Sequence, residues 1–190
     1  MAADLDSARA TLLAELREHA LVIGEVTLSS GQTAQYYVDA KRALLRPPGF
    51  RAAGELIAAE AAERGARAVG GMTMGADPLA TAAIAAPGGE DLVAFFVRKE
   101  RKAHGLQRWI EGPVLERGTP CLVVEDVVTT GGSTVKALER IGEEGLKVAG
   151  VVAVVDRLAD GERAIAEASG GAPYRALVTI DELHPDRPDR

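Results

Sequence analysis

Apolar runs alternate with amphipathic segments along most of this chain. The runs are apolar almost throughout, whereas the segments between them carry apolar side chains at helical intervals. Runs that are apolar on both faces are typical of parallel strands buried between two layers of helices. The predicted strands are residues 66–71, 92–97, 121–124, 148–155 and 176–180.

The intervening segments are interpreted as helices. Strands that alternate with helices predict an α/β fold, in which a parallel sheet is flanked by helices on both faces. The predicted helices are residues 50–64, 77–85, 133–144 and 160–168.

The first 45 residues stand outside this alternation. Residues 7–20 have the spacing of an amphipathic helix, with Ser7 as the predicted N-cap. Two short apolar runs within residues 25–39 flank a turn signal, which predicts two strands joined by a loop. We expect a single domain over residues 1–190. It would consist of an N-terminal helix and hairpin at 1–45, called the hood below, an α/β core at 46–180 and a loose tail at 181–190.

Composition narrows the classes of function. The chain has 190 residues, 47% of them apolar, which suffices for one buried core. Its 28 acidic and 22 basic residues give a net charge of −6, which argues against a protein that coats nucleic acid. The single cysteine excludes an intramolecular disulfide framework. No apolar run is long enough to span a bilayer, so we expect a cytoplasmic protein with no membrane partner.

The most informative segment is residues 122–134, Leu-Val-Val-Glu-Asp-Val-Val-Thr-Thr-Gly-Gly-Ser-Thr. A predicted strand ends in Glu125 and Asp126, small and hydroxylated residues follow, and a helix begins near Ser133. At the carboxyl edge of a parallel sheet, such a loop directs backbone N–H groups and a helix N-terminus at an anion, most naturally a phosphate. The two carboxylates would repel phosphate and instead suit the vicinal hydroxyls of a ribose. The loop lacks the lysine of a nucleotide-triphosphate P-loop, so ATP hydrolysis is not predicted.

An ordinary turn capped by Ser133 would explain the two glycines, but not the acidic pair before them. The thirteen-residue run resembles the motif that binds 5-phosphoribosyl 1-diphosphate (PRPP) in the type I phosphoribosyltransferases. The resemblance implies that the acidic pair holds the ribose hydroxyls, with Asp126 also catalytic, and that the loop after it holds the 5-phosphate. The PRPP-binding residues implied here are Glu125, Asp126, Val127, Val128, Thr129, Thr130, Gly131, Gly132, Ser133 and Thr134.

Six basic side chains gather within residues 98–108 of this acidic chain. They are Arg98, Lys99, Arg101, Lys102, His104 and Arg108. Charge runs are usually solvated loops, but this one follows an apolar strand and so emerges at the same sheet edge as the phosphate loop. A basic loop there could neutralise a leaving diphosphate, and His104 could supply a proton.

The string Arg-Lys-Glu-Arg-Lys-Ala-His-Gly at residues 98–105 resembles the catalytic loop of the orotate phosphoribosyltransferases. The resemblance implies that Arg98 and Lys99 bind the diphosphate of PRPP. It implies further that Lys102 and His104 contact PRPP and act in catalysis within the site of a neighbouring subunit. The expected assembly is therefore a homodimer that shares the 98–108 loop.

The same family has a substrate-covering hood that residues 27–31 and 36–39 resemble. Aromatic side chains there can stack on a pyrimidine, which makes Tyr36 and Tyr37 candidates for orotate binding. Both tyrosines could instead simply pack the hood on the core. Many family members carry a lysine at the position of Ser29, which this chain lacks.

Two further residues match the base site of this family. Arg157, at the end of a predicted strand, matches an arginine that takes the orotate carboxylate, a group that a guanidinium can bind through two hydrogen bonds. Thr129 matches a residue that contacts the base. By itself, a strand-end arginine is more often part of a surface ion pair. The loop at 75–78 also lacks a lysine that many family members have.

The resemblance implies transfer of the 5-phosphoribosyl group from PRPP to orotate, giving orotidine 5′-monophosphate and diphosphate in UMP biosynthesis. It implies Mg²⁺ as cofactor, held mainly by PRPP oxygens rather than by a metal site of the protein. PRPP and orotate are the expected small-molecule partners. Three alternatives stay open: transfer to another base, such as a purine; a regulator that binds PRPP without catalysis; and a purely structural role, in which the basic loop would be inert.

Overall fold

The computed structural model describes residues 4–27, 33–100 and 108–189. Its main sheet has the strand order β5-β4-β3-β6-β7-β8, and a separate two-stranded sheet pairs β1 with β2. The strands are β1 (Leu21–Thr27), β2 (Thr33–Val38), β3 (Ala68–Met72), β4 (Val93–Val97), β5 (Ile110–Glu111), β6 (Pro120–Val128), β7 (Lys147–Asp156) and β8 (Tyr174–Thr179).

Helices cover both faces of the main sheet. Apolar residues of β3, β6, β7 and β8 form one cluster with the helices near the N-terminus and another with the two helices after β6 and β7. The helices are α1 (Leu5–Glu15, continued by a π-helical turn, Leu16–Ala20), α2 (Lys41–Leu44), α3 (Pro47–Glu63), α4 (Asp77–Ala85), α5 (Gly132–Glu143), α6 (Gly161–Ala168) and α7 (Ile180–Leu183).

The predicted α/β architecture is confirmed. Strand β3 pairs in parallel with β4 on one side and with β6 on the other, and β7 and β8 continue the parallel pairing beyond β6. The chain order therefore reverses between β3 and β6. In open α/β sheets, the crevice at such a reversal, outside the carboxyl ends of the strands, is where ligands bind.

The N-terminal elements form as expected, with one correction. The first two strands pair antiparallel, and Leu12, Leu16 and Ala20 are fully buried on one face of the N-terminal helical segment. Helix α1 is capped by Asp4, whose carboxylate accepts a hydrogen bond from the Ser7 backbone N–H at 3.2 Å. Ser7 therefore lies inside the helix, and its prediction as the N-cap is wrong.

Three other boundaries differ from the sequence prediction. Helix α3 begins at Pro47, because a proline without an N–H is well suited to the first turn of a helix. Strand β6 continues to Val128, so the acidic pair lies within the hydrogen-bonded strand rather than at its end. The short strand β5, antiparallel to β4, was not predicted, because two residues carry no periodic pattern.

The tail also differs from the expected loose end. Ile180 and Leu183 of α7 are buried, and Glu182 and Thr179 form a capping box. Glu182 accepts a hydrogen bond from the Arg9 guanidinium, which ties the tail to α1. The expectation of a loose tail is therefore wrong.

None of the helices in the described part of the chain is long and apolar enough to cross a bilayer.

Candidate active site

The loop between β6 and α5, called the phosphate loop, has the geometry of an anion-binding site. Gly131 has a left-handed φ of 77°, a conformation that favours glycine, and it serves as the N-cap position of α5. A cavity of about 340 Å³ opens here, lined by Glu125, residues 127–134 and Lys136. Because the first N–H groups of a helix have no partner within the helix, this cavity is suited to a phosphate.

Two carboxylates lie buried beside this loop. Glu125 and Asp126 expose only 5% and 8% of their surface. A Glu125 carboxylate oxygen accepts a hydrogen bond from the Thr134 hydroxyl at 3.1 Å. Burial, together with the adjacent Asp126 carboxylate, raises the pKa of Glu125 well above its ordinary value. The pair is thus held in a costly environment, as expected for groups that serve a ligand rather than the fold.

Lys41 at the end of the hood supplies a cation to this acidic pair. Its ammonium donates to an Asp126 oxygen at 3.0 Å and lies 3.3 Å from an Asp39 oxygen. Burial alone would lower the pKa of Lys41, but the ion pairs with Asp126 and Asp39 outweigh burial and raise it. Lys41 was not among the site residues predicted from the sequence. The rarity of lysine was the one available signal, because this residue type occurs only five times in the chain.

The turn after β3 approaches the acidic pair from the other side of the crevice. A Cβ atom added to Gly75 would lie 2.5 Å from an Asp126 oxygen, so the backbone itself passes against the carboxylate. The carboxyl ends of β3 and β6 thus meet where the strand order reverses. Any group bound there would contact main chain from this turn and carboxylates from β6.

Residues 98–108, called the basic segment below, begin directly after β4. The Arg98 guanidinium donates to the Glu111 carboxylate at 3.1 Å and to the Glu100 carbonyl, and its side chain is about one-third exposed. The Lys99 side chain is exposed. Lys102 and His104, the predicted catalytic residues of this segment, lie outside the described residues.

Two of the candidate base-binding residues, Arg157 and Tyr36, contact each other. The Arg157 guanidinium lies 4.9 Å from the Tyr36 ring centroid and donates to the Tyr36 hydroxyl at 3.1 Å. That hydroxyl donates to the Asp189 carboxylate of the tail at 3.0 Å. Tyr36 is buried, whereas Tyr37 is exposed. The backbone N–H of Arg157 donates to the carbonyl of Val128 at 2.9 Å, which brings Arg157 next to the phosphate loop.

The remaining predicted residues fall on the loop itself. Thr129, Thr130, Gly132 and Ser133 are exposed, and Thr134 is buried. Hydroxyl groups and helix N–H groups therefore line one end of the crevice, carboxylates its centre and basic residues the segment after β4. This order matches a ligand with an anionic group at each end of a polyol.

Within residues 4–27, 33–100 and 108–189, no group of three or more His, Cys, Asp or Glu side chains is arranged to hold a metal ion. An ion such as Mg²⁺, which prefers oxygen ligands and retains water, would need further oxygens from a ligand. The carboxylates of Glu125 and Asp126 are oxygen donors that the site could offer to such an ion.

Comparisons with known proteins agree with this geometry. The family model of the phosphoribosyl transferase domain matches residues 42–172, which include the turn after β3, the basic segment and the phosphate loop. The orotate phosphoribosyltransferase of Corynebacterium glutamicum strain R is 48% identical over 176 residues, covering 93% of this chain and 94% of that protein.

Solved structures give the same result. A crystal structure of Mycobacterium tuberculosis orotate phosphoribosyltransferase in complex with Fe(III) dicitrate has a TM-score of 0.83 and 43% identity, covering 93% of this chain and 99% of that one. The same enzyme in complex with PRPP has a TM-score of 0.76 and 38% identity, covering 93% and 98% of the two chains. With this identity over nearly the full length, and with the acidic pair and phosphate loop arranged as described, the chain belongs to the orotate phosphoribosyltransferases.

Proposed function

We propose that this protein transfers the 5-phosphoribosyl group of PRPP to orotate, forming orotidine 5′-monophosphate and diphosphate for UMP biosynthesis. The observation that carries the proposal is the buried pair Glu125–Asp126 near the end of β6, two residues before the loop that leads into the N-terminus of α5. Carboxylates beside an anion site suit a ligand that has hydroxyls next to a phosphate, as a phosphorylated ribose has.

Each part of PRPP has a proposed partner in the chain. The loop from Thr130 to Thr134 binds the 5-phosphate through its N–H and hydroxyl groups. Glu125 and Asp126 accept hydrogen bonds from the ribose hydroxyls. Arg98 and Lys99 bind the diphosphate by charge, since both follow β4 on the same edge of the sheet.

The proposed chemistry is a substitution at the anomeric carbon. The bond from this carbon to the diphosphate oxygen breaks, and its electron pair leaves with the diphosphate. A ring nitrogen of orotate loses its proton to solvent and supplies the electron pair for the new bond. Positive charge develops on the ribose, next to the carboxylate of Asp126, which stabilises it. Lys102 and His104, as the family resemblance implies, neutralise the leaving diphosphate from a neighbouring subunit.

Recognition of orotate is assigned to the residues around Arg157. Its guanidinium can bind the orotate carboxylate through two parallel hydrogen bonds. Thr129 lies one residue beyond the carbonyl that accepts from the Arg157 N–H, which supports its proposed contact with the base. Exposed Tyr37 is better suited to stack on a ligand than Tyr36, which is 3% exposed and whose ring already contacts Arg157.

Mg²⁺ is part of this proposal. PRPP supplies the hydroxyl and diphosphate oxygens that a hard cation prefers. On the protein side, the carboxylate of Asp126 would supply an oxygen ligand of the same kind. When bound, the ion reduces the negative charge of the diphosphate. We also propose a homodimer that shares the 98–108 loop between subunits, and a cytoplasmic location, which cell fractionation would test.

The test of the reaction follows orotate by its ultraviolet absorbance. We expect orotate to be consumed only when PRPP and Mg²⁺ are both present. Activity with adenine or hypoxanthine and none with orotate would overturn the proposal. Loop sharing has its own test: mixing Lys102→Ala subunits with Asp126→Asn subunits should restore activity to part of the hybrid dimers, and no recovery would contradict it.

A further inference from the structure

Arg140 lies in no binding motif, yet its guanidinium contacts both ends of the described basic segment. One terminal nitrogen donates to the carbonyl of Arg98 at 2.6 Å, and the other donates to the carbonyl of Lys99 at 2.8 Å. The guanidinium carbon also lies 4.3 Å from the centroid of the Trp109 ring. A single side chain thus contacts the chain before and after residues 101–107.

The contact is reinforced from the same helix end. The backbone N–H of Trp109 donates to the Glu144 carboxylate at 2.8 Å, and its indole N–H donates to the Glu143 carboxylate at 2.7 Å. The N–H of Arg98 donates to the carbonyl of Trp109 at 2.9 Å, so the two ends of the segment are also joined to each other. The C-terminal end of α5 therefore anchors the basic segment at both sides.

Two consecutive carbonyls held by one planar guanidinium fix the orientation of two peptide groups. Because each peptide plane is rigid, this restricts the backbone torsions at Arg98 and Lys99. The directions in which both side chains leave the backbone are restricted in turn. A lysine at position 140 could not reproduce this, since its ammonium is a point donor without the fork of an arginine.

Arg140 also contacts the end of strand β3, at the edge of the crevice. The same nitrogen that donates to Arg98 lies 3.3 Å from the sulfur of Met72, the last residue of β3. Met72 precedes the turn whose backbone passes against Asp126. Arg140 therefore contacts the last residue of β3 and the first two residues after β4.

Helix α5 connects these contacts to the phosphate loop. Its N-terminus follows Gly131, and Arg140 lies eight residues beyond Gly132, which is about 12 Å along a helix axis at 1.5 Å per residue. One rigid element thus carries the proposed 5-phosphate site at one end and, two turns further, the guanidinium that holds Arg98 and Lys99. A helix of fixed length sets the separation between the two anionic ends of the ligand.

We propose that Arg140 is a positioning residue, which orients Arg98 and Lys99 for the diphosphate of PRPP relative to the phosphate loop. The inference rests on the proposed function, since it takes the diphosphate as the partner of these two residues. Arg140 itself donates to backbone carbonyls, so its effect on the ligand is exerted through its neighbours.

The test compares Arg140→Met with the matched control Arg163→Met, whose arginine is on the exposed face of α6 in an ion pair with Glu167. The probes are inorganic diphosphate, as an inhibitor, and ribose 5-phosphate, which lacks the diphosphate. We expect Arg140→Met to weaken diphosphate inhibition about tenfold, on the scale of losing hydrogen bonds from a charged group, and to change ribose 5-phosphate binding less than twofold. Arg163→Met should change neither.

Trp109 provides a second readout, because it is the only tryptophan of the chain. We expect diphosphate to change the fluorescence of the unmodified protein and this response to be lost in Arg140→Met. If Arg140→Met folds poorly by circular dichroism, Arg140→Lys serves instead, with an expected weakening of diphosphate inhibition of about threefold at an unchanged melting temperature.

The outcomes separate the two proposals. Equal weakening of diphosphate and ribose 5-phosphate, or no weakening of either, would overturn the role of Arg140. If the unmodified protein forms no orotidine 5′-monophosphate, the proposed function fails, while selective loss of diphosphate binding and of the Trp109 response would still support Arg140 as a positioning residue for that anion.

Discussion

The phosphate–ribose region and the base region of this site are built in opposite ways. Glu125 to Thr134 form one contiguous segment, in which buried carboxylates and a helix N-terminus face a cavity of about 340 Å³. The base region instead combines Tyr36, Arg157 and Asp189 from three distant parts of the chain, and these groups contact one another. The first region surrounds a cavity that a ligand can enter, although Asp126 already pairs with Lys41, whereas in the second region a ligand must displace contacts between protein groups.

This difference has an energetic consequence. Burying two adjacent carboxylates costs stability, so a ligand whose hydroxyls donate hydrogen bonds to them binds to groups that the fold has already desolvated. In the base region, a ligand on Arg157 has to displace the contacts that its guanidinium already makes with Tyr36 and Asp189, and the net gain is smaller. We therefore expect substitutions in the first region to have large effects and substitutions around Asp189 to have small ones.

The largest effect is expected for Asp126→Asn. This change removes a carboxylate next to the ribose and leaves Lys41 without its closest acidic partner. We expect kcat/KM to fall about 10²- to 10³-fold, the range found when one group that stabilises transition-state charge is removed. Steady-state rates of orotate consumption measure it. Asp91→Asn, an exposed carboxylate, is the control, and a loss below threefold at position 126 would contradict the ranking.

Glu125→Gln tests the cost of the buried pair directly. Because the pKa of Glu125 is raised in the folded protein, the folded state favours the protonated form of this carboxyl group. The burial of Glu125 therefore costs the parent protein no stability at acidic pH. Stability is lost as the pH rises from the ordinary pKa of a glutamate through the raised pKa. Glutamine carries no charge and escapes the loss. We expect Glu125→Gln to be more stable than the parent by about 2 kcal/mol at alkaline pH, roughly 4–8 °C in Tm.

Thermal unfolding monitored by circular dichroism at several pH values measures this gain. The difference in Tm between the variant and the parent should shrink toward zero below the ordinary pKa of a glutamate. Glu139→Gln, on the exposed face of α5, should show no such pH dependence. A Tm difference that is constant with pH would mean that the charge of Glu125 is not what costs stability.

Gly132 and Gly142, at opposite ends of α5, allow a test of whether a bound phosphate needs close approach of the backbone. A Cβ added at Gly132 would meet nothing closer than the Thr130 hydroxyl at 4.0 Å, and one added at Gly142, at the other end of α5, would meet nothing within 4 Å. Both glycine-to-alanine changes should therefore fold normally and stabilise the helix slightly. We expect only Gly132→Ala to weaken PRPP binding, about tenfold, because a bound phosphate needs close approach of the backbone.

Isothermal titration with PRPP and thermal unfolding of both variants measure these effects. Equal PRPP affinity in the two variants would show that the phosphate does not approach Gly132. Loss of stability in Gly132→Ala would show that this glycine serves the fold instead.

The sequence predicted the first region far better than the second, for a physical reason. A strand, an acidic pair, a small-residue loop and a helix that follow one another are positioned by local structure, so residues 122–134 could be read in order. Contacts between distant segments depend on how the layers pack. Lys41 pairs with Asp126 across 85 positions, and no local pattern indicates that pairing.

The same reason explains the other errors. Strand β6 extends through Asp126 because β7 continues to pair with it, which an apolar pattern that stops at Val124 does not reveal. The tail was predicted to be loose from its prolines and charges, yet its contacts to Arg9 and Tyr36 hold it against the hood. The role of Arg140 could not be predicted from the sequence, because its partners are backbone carbonyls, which every residue has and no sequence pattern indicates.

The smallest expected effect is that of Asp189→Asn. The Asp189 carboxylate accepts from the Tyr36 hydroxyl and lies 3.9 Å from the Arg157 guanidinium, where we propose the orotate carboxylate binds. The side chain of Asp189 is about half exposed, and ion pairs of such groups contribute about 1 kcal/mol or less. Removing this internal carboxylate should lower KM for orotate about two- to threefold and leave KM for PRPP unchanged.

Two controls show whether the Asp189 carboxylate competes with orotate for Arg157: the dependence of KM on salt concentration, and the variant Asp186→Asn. A competing charge loses its influence as salt screens it, so the advantage of Asp189→Asn over the parent should shrink at high ionic strength. Asp186→Asn, an exposed carboxylate of the same tail, should leave KM for orotate unchanged at any salt concentration. If Asp189→Asn raises KM for orotate instead, the tail carboxylate positions Arg157 through Tyr36 rather than competing for it. The two regions of the site would then both be organised in advance for their ligands, and the contrast between them would be one of chain distance alone.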